Sequence, residues 1–122
     1  AAYARDKAYS PYSHFNVGAS VLATSGKIYT GCNVENASFG LTICAERLAI
    51  ANAVAAGERE IVAVAIMSEG QANPCGACLQ VVQEFAGNEP PVIITSDMEG
   101  NYVMRSLAEC LPFGFKEFKP EK

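Results

Sequence analysis

The sequence predicts an α/β fold in which one mixed sheet of five strands carries helices on both faces. Short apolar runs of strand length alternate with stretches that have helical spacing. The connection at residues 98–101 is too short for a parallel crossover, so it predicts an antiparallel pair. The run at 61–67 is apolar throughout, which is typical of a strand buried on both faces. The predicted order is α-β-β-α-β-α-β-β.

The first three elements are a helix end and a hairpin. Residues 1–9 are predicted to end a helix, which stops at Ser10-Pro11. Apolar runs at 17–23 and 28–34 read as two strands, and the polar turn Thr24-Ser25-Gly26-Lys27 joins them.

Two longer helices flank the central strand. Residues 44–56 have apolar spacings of three and four, and Gly57 ends the helix. A second helix is predicted from Pro74-Cys75 to about Ala86, with Pro74 in its first turn, where the missing N–H costs nothing. The remaining elements are strands at 92–95 and 102–104 and a short helix at 106–110.

Composition limits the function classes. The chain has 122 residues, 50% of them hydrophobic and 18% charged, which predicts one globular domain over 1–122. Nine Lys and Arg against 13 Asp and Glu give a net charge of −4, which disfavours a large nucleic-acid surface. No apolar run has membrane-span length, and no secretory signal core is present. The chain begins without Met, so further residues are expected before Ala1. Neither GxGxxG nor GxxxxGK[ST] occurs.

The five cysteines and the single histidine limit which disulfides and metal sites the chain can form. An odd number of cysteines cannot all form intramolecular disulfides. Without a signal segment, the expected compartment is the reducing cytoplasm, where clustered cysteines more often bind metals or catalyse reactions. A single histidine excludes any metal site that needs two histidines from this chain.

Cys44, Cys75 and Cys78 are the candidate metal ligands. Each lies at the start of a predicted helix, and the i, i+3 spacing of Cys75 and Cys78 places both sulfurs on one side of the first turn. Helix N-termini favour thiolates, and zinc binds thiolates well. Three protein ligands leave a fourth position for water, as in catalytic zinc sites.

Glu46 and Arg47 follow the first of these cysteines. Glu46 is predicted to be a general acid/base beside the metal, because Cys-x-Glu followed by Pro-Cys-x-x-Cys is the zinc deaminase pattern. A carboxylate that only favours the helix dipole is the simpler alternative. Three thiolates and Zn²⁺ sum to −1, so Arg47 is a candidate for offsetting that charge. Cys32 and Cys110 are expected to be small buried side chains, and His14 to have a surface or packing role.

The sequence resembles the small, homotetrameric, zinc-dependent cytidine deaminases over nearly its whole length. The resemblance rests on Gly31-Cys-Asn-Val-Glu-Asn-Ala-Ser-Phe-Gly-Leu-Thr-Ile-Cys-Ala-Glu-Arg47, Pro11-Tyr-Ser-His-Phe-Asn-Val-Gly-Ala19, Pro74-Cys-Gly-Ala-Cys78 and Leu111-Pro-Phe-Gly-Phe115. It implies the three-layer α-β-α fold of that family and one zinc ion per chain held by Cys44, Cys75 and Cys78.

The resemblance also implies a substrate and a set of contacts. Asn33 and Glu35 would bind the ribose hydroxyls, Phe15 would line the pyrimidine pocket, and the Ala45 N–H would meet the base carbonyl. Phe115 would stack on the base in a neighbouring subunit, so that homotetramer subunits share active sites. Two positions depart from the family pattern: Leu79 stands where Arg is common, and Phe39 where Tyr is frequent.

The predicted function is hydrolytic deamination of cytidine and 2′-deoxycytidine to the uridines and ammonia in pyrimidine salvage, with a zinc-activated water and Glu46 as proton shuttle. One alternative is a deaminase of related fold that acts on a nucleoside antibiotic or on a base in nucleic acid. The other is a zinc-stabilised or redox binding module without enzyme activity, in which Cys32 or Cys110 would complete a four-thiolate site.

Overall fold

A hairpin forms one edge of the sheet. The computed structural model describes residues 1–70, 74–112 and 114. Strands β1 (Gly18–Ala23) and β2 (Ile28–Cys32) pair antiparallel, as predicted. The turn between them needs Gly26, whose φ of 88° lies in the left-handed region that glycine adopts without strain.

Three further strands extend the hairpin into a mixed five-stranded sheet. They are β3 (Ile61–Met67), β4 (Val92–Ser96) and β5 (Tyr102–Ser106), and the strand order is β2-β1-β3-β4-β5. Among the five strands that the structure describes, only β3 and β4 pair in parallel, and the chain between them contains a helix, as a parallel crossover requires. The predicted five-stranded mixed sheet is therefore confirmed.

Helices cover both faces of this sheet. The helices are α1 (Ala2–Arg5), α2 (Ala45–Ala55), α3 (Gly76–Glu84) and α4 (Leu107–Cys110). In the β1–β2 ladder Gly18 pairs with Cys32 and Ala19 with Gly31, so Gly18 and Gly31 face opposite sides. A Cβ at Gly18 would lie 2.0 Å from the Ala1 carbonyl oxygen before α1, and one at Gly31 would lie 2.4 Å from the Ala49 nitrogen in α2. Because Gly18 and Gly31 have no side chain, α1 and α2 can pack closely against opposite faces of the sheet.

The main core lies between the sheet and α2 and α3. It is built from small and branched side chains that alternate along the strands, which is the pattern of a half-buried sheet. Its fully buried members include Val21, Ala49, Ile50, Ala53, Ile61, Val64, Val82, Ile93 and Leu107. This packing fixes the N-terminal ends of α2 and α3 relative to each other. Within the described residues, no helix is long and apolar enough to span a membrane.

Some predicted boundaries are wrong near the site. The predicted helix over residues 1–9 ends at Arg5, because Tyr9 leaves helical geometry to pair with Val34: its N–H donates to the Asn33 carbonyl at 2.9 Å. The strand predicted to reach residue 34 ends at Cys32. Val34 instead forms a bridge with Ile43.

The start of α3 also differs from the prediction. Pro74 does not occupy the first helical turn. Cys75 is the N-cap, because its sulfur accepts a hydrogen bond from the Cys78 N–H at 3.4 Å, and the helix begins at Gly76. The cysteine that caps the helix is thus also a candidate metal ligand.

Candidate active site

Two helix N-termini bring three cysteine sulfurs together. Cys44 is the N-cap of α2, Cys75 is the N-cap of α3, and Cys78 lies in the first turn of α3. The sulfurs of Cys75 and Cys78 are 3.2 Å apart, and all three sulfurs lie within 4.8 Å of one another. The predicted clustering of Cys44, Cys75 and Cys78 is confirmed.

This donor set fits a zinc ion. Thiolate sulfurs bind zinc at about 2.3 Å, so sulfurs that share a tetrahedral ion lie just under ~4 Å apart. Among the described residues, no further Cys, His, Asp or Glu belongs to the cluster. Cys32 and Cys110, both of them described, are outside it. Three sulfur ligands leave one tetrahedral position open.

A cation is placed against the thiols. Arg47, in the first turn of α2, donates from Nη2 to the Cys44 sulfur at 3.3 Å and to the Thr42 carbonyl at 3.4 Å. Hydrogen bonding from Cys78, with a further contribution from Arg47, lowers the pKa of Cys44 to about 5. The same interaction with the Cys44 thiolate raises the pKa of Cys78. The Arg47 Nε is buried and has no hydrogen-bond partner in the described part of the chain.

Glu46 lies inside the same site. It is the second residue of α2, and only 6% of its surface is exposed. Burial raises the pKa of its carboxyl above the usual range for glutamate. The carboxylate does not join the group of three possible ligands, which leaves it available for proton transfer.

A cavity of about 240 Å³ opens beside these groups. Its lining combines two of the cysteines with polar and apolar side chains from the loop before β1, the segment between β2 and α2, the start of α2, and β3: Phe15, Val17, Asn33, Thr42, Cys44, Ala45, Glu46, Ile66 and Cys75. Ala45 is the first residue of α2, so its N–H has no intrahelical acceptor. The cavity thus offers an apolar ring, an amide, a backbone donor and a buried carboxylate close to the thiols.

Asn33 faces this cavity and also holds the loop before β1. It is 9% exposed. Its Oδ1 accepts from the Val17 N–H at 3.0 Å, and its Nδ2 donates to the Phe15 carbonyl at 2.8 Å. A side-chain amide has two donors and two acceptor lone pairs, so one of each is still available to a ligand.

Glu35 lines a second cavity, of about 360 Å³, with Tyr12, Ser13, Phe39 and Thr42. Thr42 also lines the first cavity, so the two are neighbours. Glu35 Oε1 accepts from the N–H groups of Tyr12 and Ser13 at 2.9 and 3.1 Å, and Oε2 accepts from the Ser13 hydroxyl. Bonding to Ser13 holds the pKa of Glu35 below its usual range, which keeps the group ionised.

Comparison with known proteins identifies the family. Residues 1–94 match the family model described as the cytidine and deoxycytidylate deaminase zinc-binding region. A cytidine deaminase of Sporosarcina psychrophila is 45% identical over 116 residues, which cover 93% of this chain and 85% of the relative. This chain belongs to the cytidine deaminase family.

Solved structures of cytidine deaminases share the fold. A crystal structure from Burkholderia pseudomallei superposes with a TM-score of 0.88 at 45% identity, over 94% of this chain and 93% of the other. One from Mycobacterium tuberculosis has a TM-score of 0.79 at 38% identity, over 93% and 89%. The predicted three-layer cytidine deaminase fold is therefore confirmed.

The remaining cysteines and the histidine, which were predicted to lie outside the site, and the predicted stacking residue Phe115 are placed as follows. His14 is exposed, in the loop before β1. Cys32 and Cys110 were expected to be buried small side chains, but both are only half-buried. Phe115, the predicted stacking residue, lies outside the described residues.

The two residues that depart from the family pattern, Leu79 and Phe39, lie in different environments. Leu79 is 6% exposed and belongs to the core, so an apolar side chain is well accommodated there. Phe39 is exposed and contacts Tyr12 edge to face, with ring centroids 6.0 Å apart.

Sequence reasoning missed two residues of the deaminase site. The sequence pattern does not single out Thr42, which lines both cavities. Ser13 carried no signal beyond its place in a loop, yet it contacts the Glu35 carboxylate. The Ser13–Glu35 bond joins residues 22 positions apart, and the cavities that Thr42 lines form only when distant segments fold together, so local patterns predict neither.

Proposed function

We propose that this protein is a zinc-dependent cytidine deaminase that hydrolyses free cytidine and 2′-deoxycytidine to uridine and 2′-deoxyuridine, releasing ammonia. One observation carries the proposal: Cys44 and Cys75, two members of the three-sulfur cluster, line one cavity together with the buried Glu46, Phe15 and Asn33. The whole chain, residues 1–122, acts as one deaminase domain in this proposal.

Cys44, Cys75 and Cys78 would hold the zinc. When bound, the ion supplies a Lewis acid that lowers the pKa of a water molecule toward ~7. Arg47, bonded to the Cys44 sulfur, offsets part of the negative charge of the three thiolates.

Glu46 carries the protons. It takes one proton from the attacking water and delivers it to ring N3 as the C4–O bond forms. It then takes the remaining proton of the new C4 hydroxyl and delivers it to the amino group. The C4–N bond breaks, ammonia leaves, and the C4 carbonyl and N3–H of uridine remain.

The surrounding residues select the nucleoside. The Phe15 ring would pack on the pyrimidine, and the free N–H of Ala45 would donate to the base carbonyl. Asn33 and Glu35 would bind the ribose hydroxyls, with Glu35 as acceptor because it is ionised. Asn33 lines the first cavity, Glu35 lines the neighbouring one and Thr42 lines both, which supports a ribose bound where the two cavities adjoin.

We also propose a homotetramer that works in the cytoplasm. Five large apolar side chains near the site are exposed, namely Tyr9, Tyr12, Phe39, Leu41 and Ile43. Exposed apolar patches of this kind mark interaction surfaces. A second copy on this surface would complete the site, and a reducing compartment would keep the three cysteines available for metal.

The direct test is loss of cytidine absorbance on incubation with the purified protein, with and without a chelator. Parallel samples contain 2′-deoxycytidine, 2′-deoxycytidine 5′-monophosphate and a cytosine-rich single-stranded oligonucleotide. The proposal predicts one ammonia per uridine from both nucleosides, no turnover of the oligonucleotide, and loss of activity with chelator. Turnover of the oligonucleotide alone, or activity that resists metal removal, would contradict it. Light scattering of the same sample tests the tetramer.

A further inference from the structure

Side-chain hydrogen bonds join the loop before β1 to the segment after β2. From the β2 side, Asn33 bonds to the backbone of Phe15 and Val17, and Glu35 bonds to the N–H groups of Tyr12 and Ser13. The residues proposed to bind the sugar therefore also shape the loop that carries Phe15.

Ser13 makes two hydrogen bonds at the centre of this arrangement. Its Oγ donates to Glu35 Oε2 and accepts from the Phe15 N–H at 3.1 Å. An ionised carboxylate only accepts, and a hydroxyl has a single proton, so the direction of both bonds is determined. With the two backbone bonds to Oε1, both carboxylate oxygens of Glu35 have fixed donors.

The backbone next to Ser13 is unusual as well. His14 has a φ of 58°, a left-handed conformation that a non-glycine residue adopts at a cost of order 1 kcal/mol. Its N–H donates to the Ser10 carbonyl at 2.9 Å. Surrounding bonds maintain this conformation, and it turns the chain so that the Ser13 hydroxyl meets both Glu35 and Phe15. Such local strain is typical of functional sites.

We infer that Ser13 is a positioning residue for nucleoside recognition: its hydroxyl orients the Glu35 carboxylate toward the ribose hydroxyls. The inference rests on the proposed function, since it assumes that Glu35 meets the ribose. It predicts that Ser13 affects binding of the sugar and leaves the chemistry at the zinc and Glu46 unchanged.

The test compares Ser13→Ala with Ser13→Thr and with a control at Ser25. Ser25 Oγ donates to the Glu58 carboxylate at 2.6 Å and accepts from the Lys27 N–H at 3.3 Å. Ser25→Ala therefore removes the same pair of bonds in a surface turn outside both cavities. Steady-state kinetics are measured with cytidine and with 2′,3′-dideoxycytidine, which lacks the 2′- and 3′-hydroxyls, alongside zinc content and thermal unfolding.

Loss of a hydrogen bond to a charged group predicts that Ser13→Ala raises KM for cytidine about tenfold. The kcat, zinc content and unfolding temperature stay at wild-type values, and the KM for dideoxycytidine changes far less. Ser13→Thr keeps the hydroxyl and retains the wild-type KM, as does Ser25→Ala. In a Glu35→Gln background, Ser13→Ala adds little, because the two residues act as a unit.

Several outcomes would overturn the inference. These are an unchanged KM in Ser13→Ala, an equal rise for dideoxycytidine, failure of Ser13→Thr to restore KM, or full additivity with Glu35→Gln. If wild-type protein deaminates cytidine and any of these occurs, only the role of Ser13 fails. If wild-type protein does not turn over cytidine, the proposed function itself fails.

Discussion

The sulfur end and the sugar end of the site are built in different ways. At the sulfur end, Cys44 and Cys75 cap two helices and Cys78 is 0% exposed in the first turn of α3, so regular helical geometry positions the ligands. At the sugar end, Glu35 and Ser13 lie on irregular segments and are held by side-chain bonds across more than twenty residues of sequence. The first end is positioned by the starts of two helices that pack in the core, although Cys75 itself is exposed, and the second end depends on a few hydrogen bonds.

This difference assigns separate kinetic effects to the two ends. Changes at the sulfur end remove the metal or the proton carrier and therefore lower kcat by orders of magnitude or abolish turnover. Changes at the sugar end alter binding of the ribose and therefore raise KM. Each prediction below tests whether the two ends separate in this way.

The largest effect is expected for Cys78→Ser. Serine is a poor zinc ligand beside two thiolates, and the buried position offers no replacement donor among the described residues. We expect zinc to fall well below one ion per chain and cytidine turnover to be undetectable. Metal analysis of the purified variant together with the absorbance assay measures both, and a variant that keeps zinc and activity would remove Cys78 from the ligand set.

A smaller effect is expected for Glu35→Gln. The amide cannot accept from Tyr12, Ser13 and the ribose as an ionised carboxylate does, so the charge-assisted bonds weaken. We expect KM for cytidine to rise about tenfold or more while zinc content stays at the wild-type level. A fall in kcat at unchanged KM would show that the two ends are not separate.

The smallest effect is expected for Cys32→Ser and Cys110→Ser. Both thiols are half-buried and outside the cluster. We expect each variant to retain full zinc and wild-type kinetics, measured in the same assays as Cys78→Ser, for which they are the matched controls. Release of zinc by either change would support a closed four-thiolate site instead.

The same contrast explains how much the sequence predicts. The spacing of Cys75 and Cys78 and the position of Glu46 after Cys44 are local to helix starts, so each half of the sulfur end follows from its own pattern. The meeting of the two helix starts depends on the tertiary structure. The strand order and the parallel β3–β4 pair were open until the tertiary structure placed them. Ser13 and Thr42 escaped prediction because their partners, Glu35 and the cavity walls, are brought to them only by folding.

The central claim is that the three cysteines hold the metal while Glu46 moves protons without binding it. Measuring zinc content and cytidine turnover in one preparation of Glu46→Gln tests this claim most directly. The glutamine fills the same buried space but cannot accept a proton, so we expect one zinc per chain, as in the wild type, and turnover reduced by about 10²- to 10⁴-fold. Loss of zinc would make Glu46 a ligand, and wild-type turnover would show that another group carries the proton.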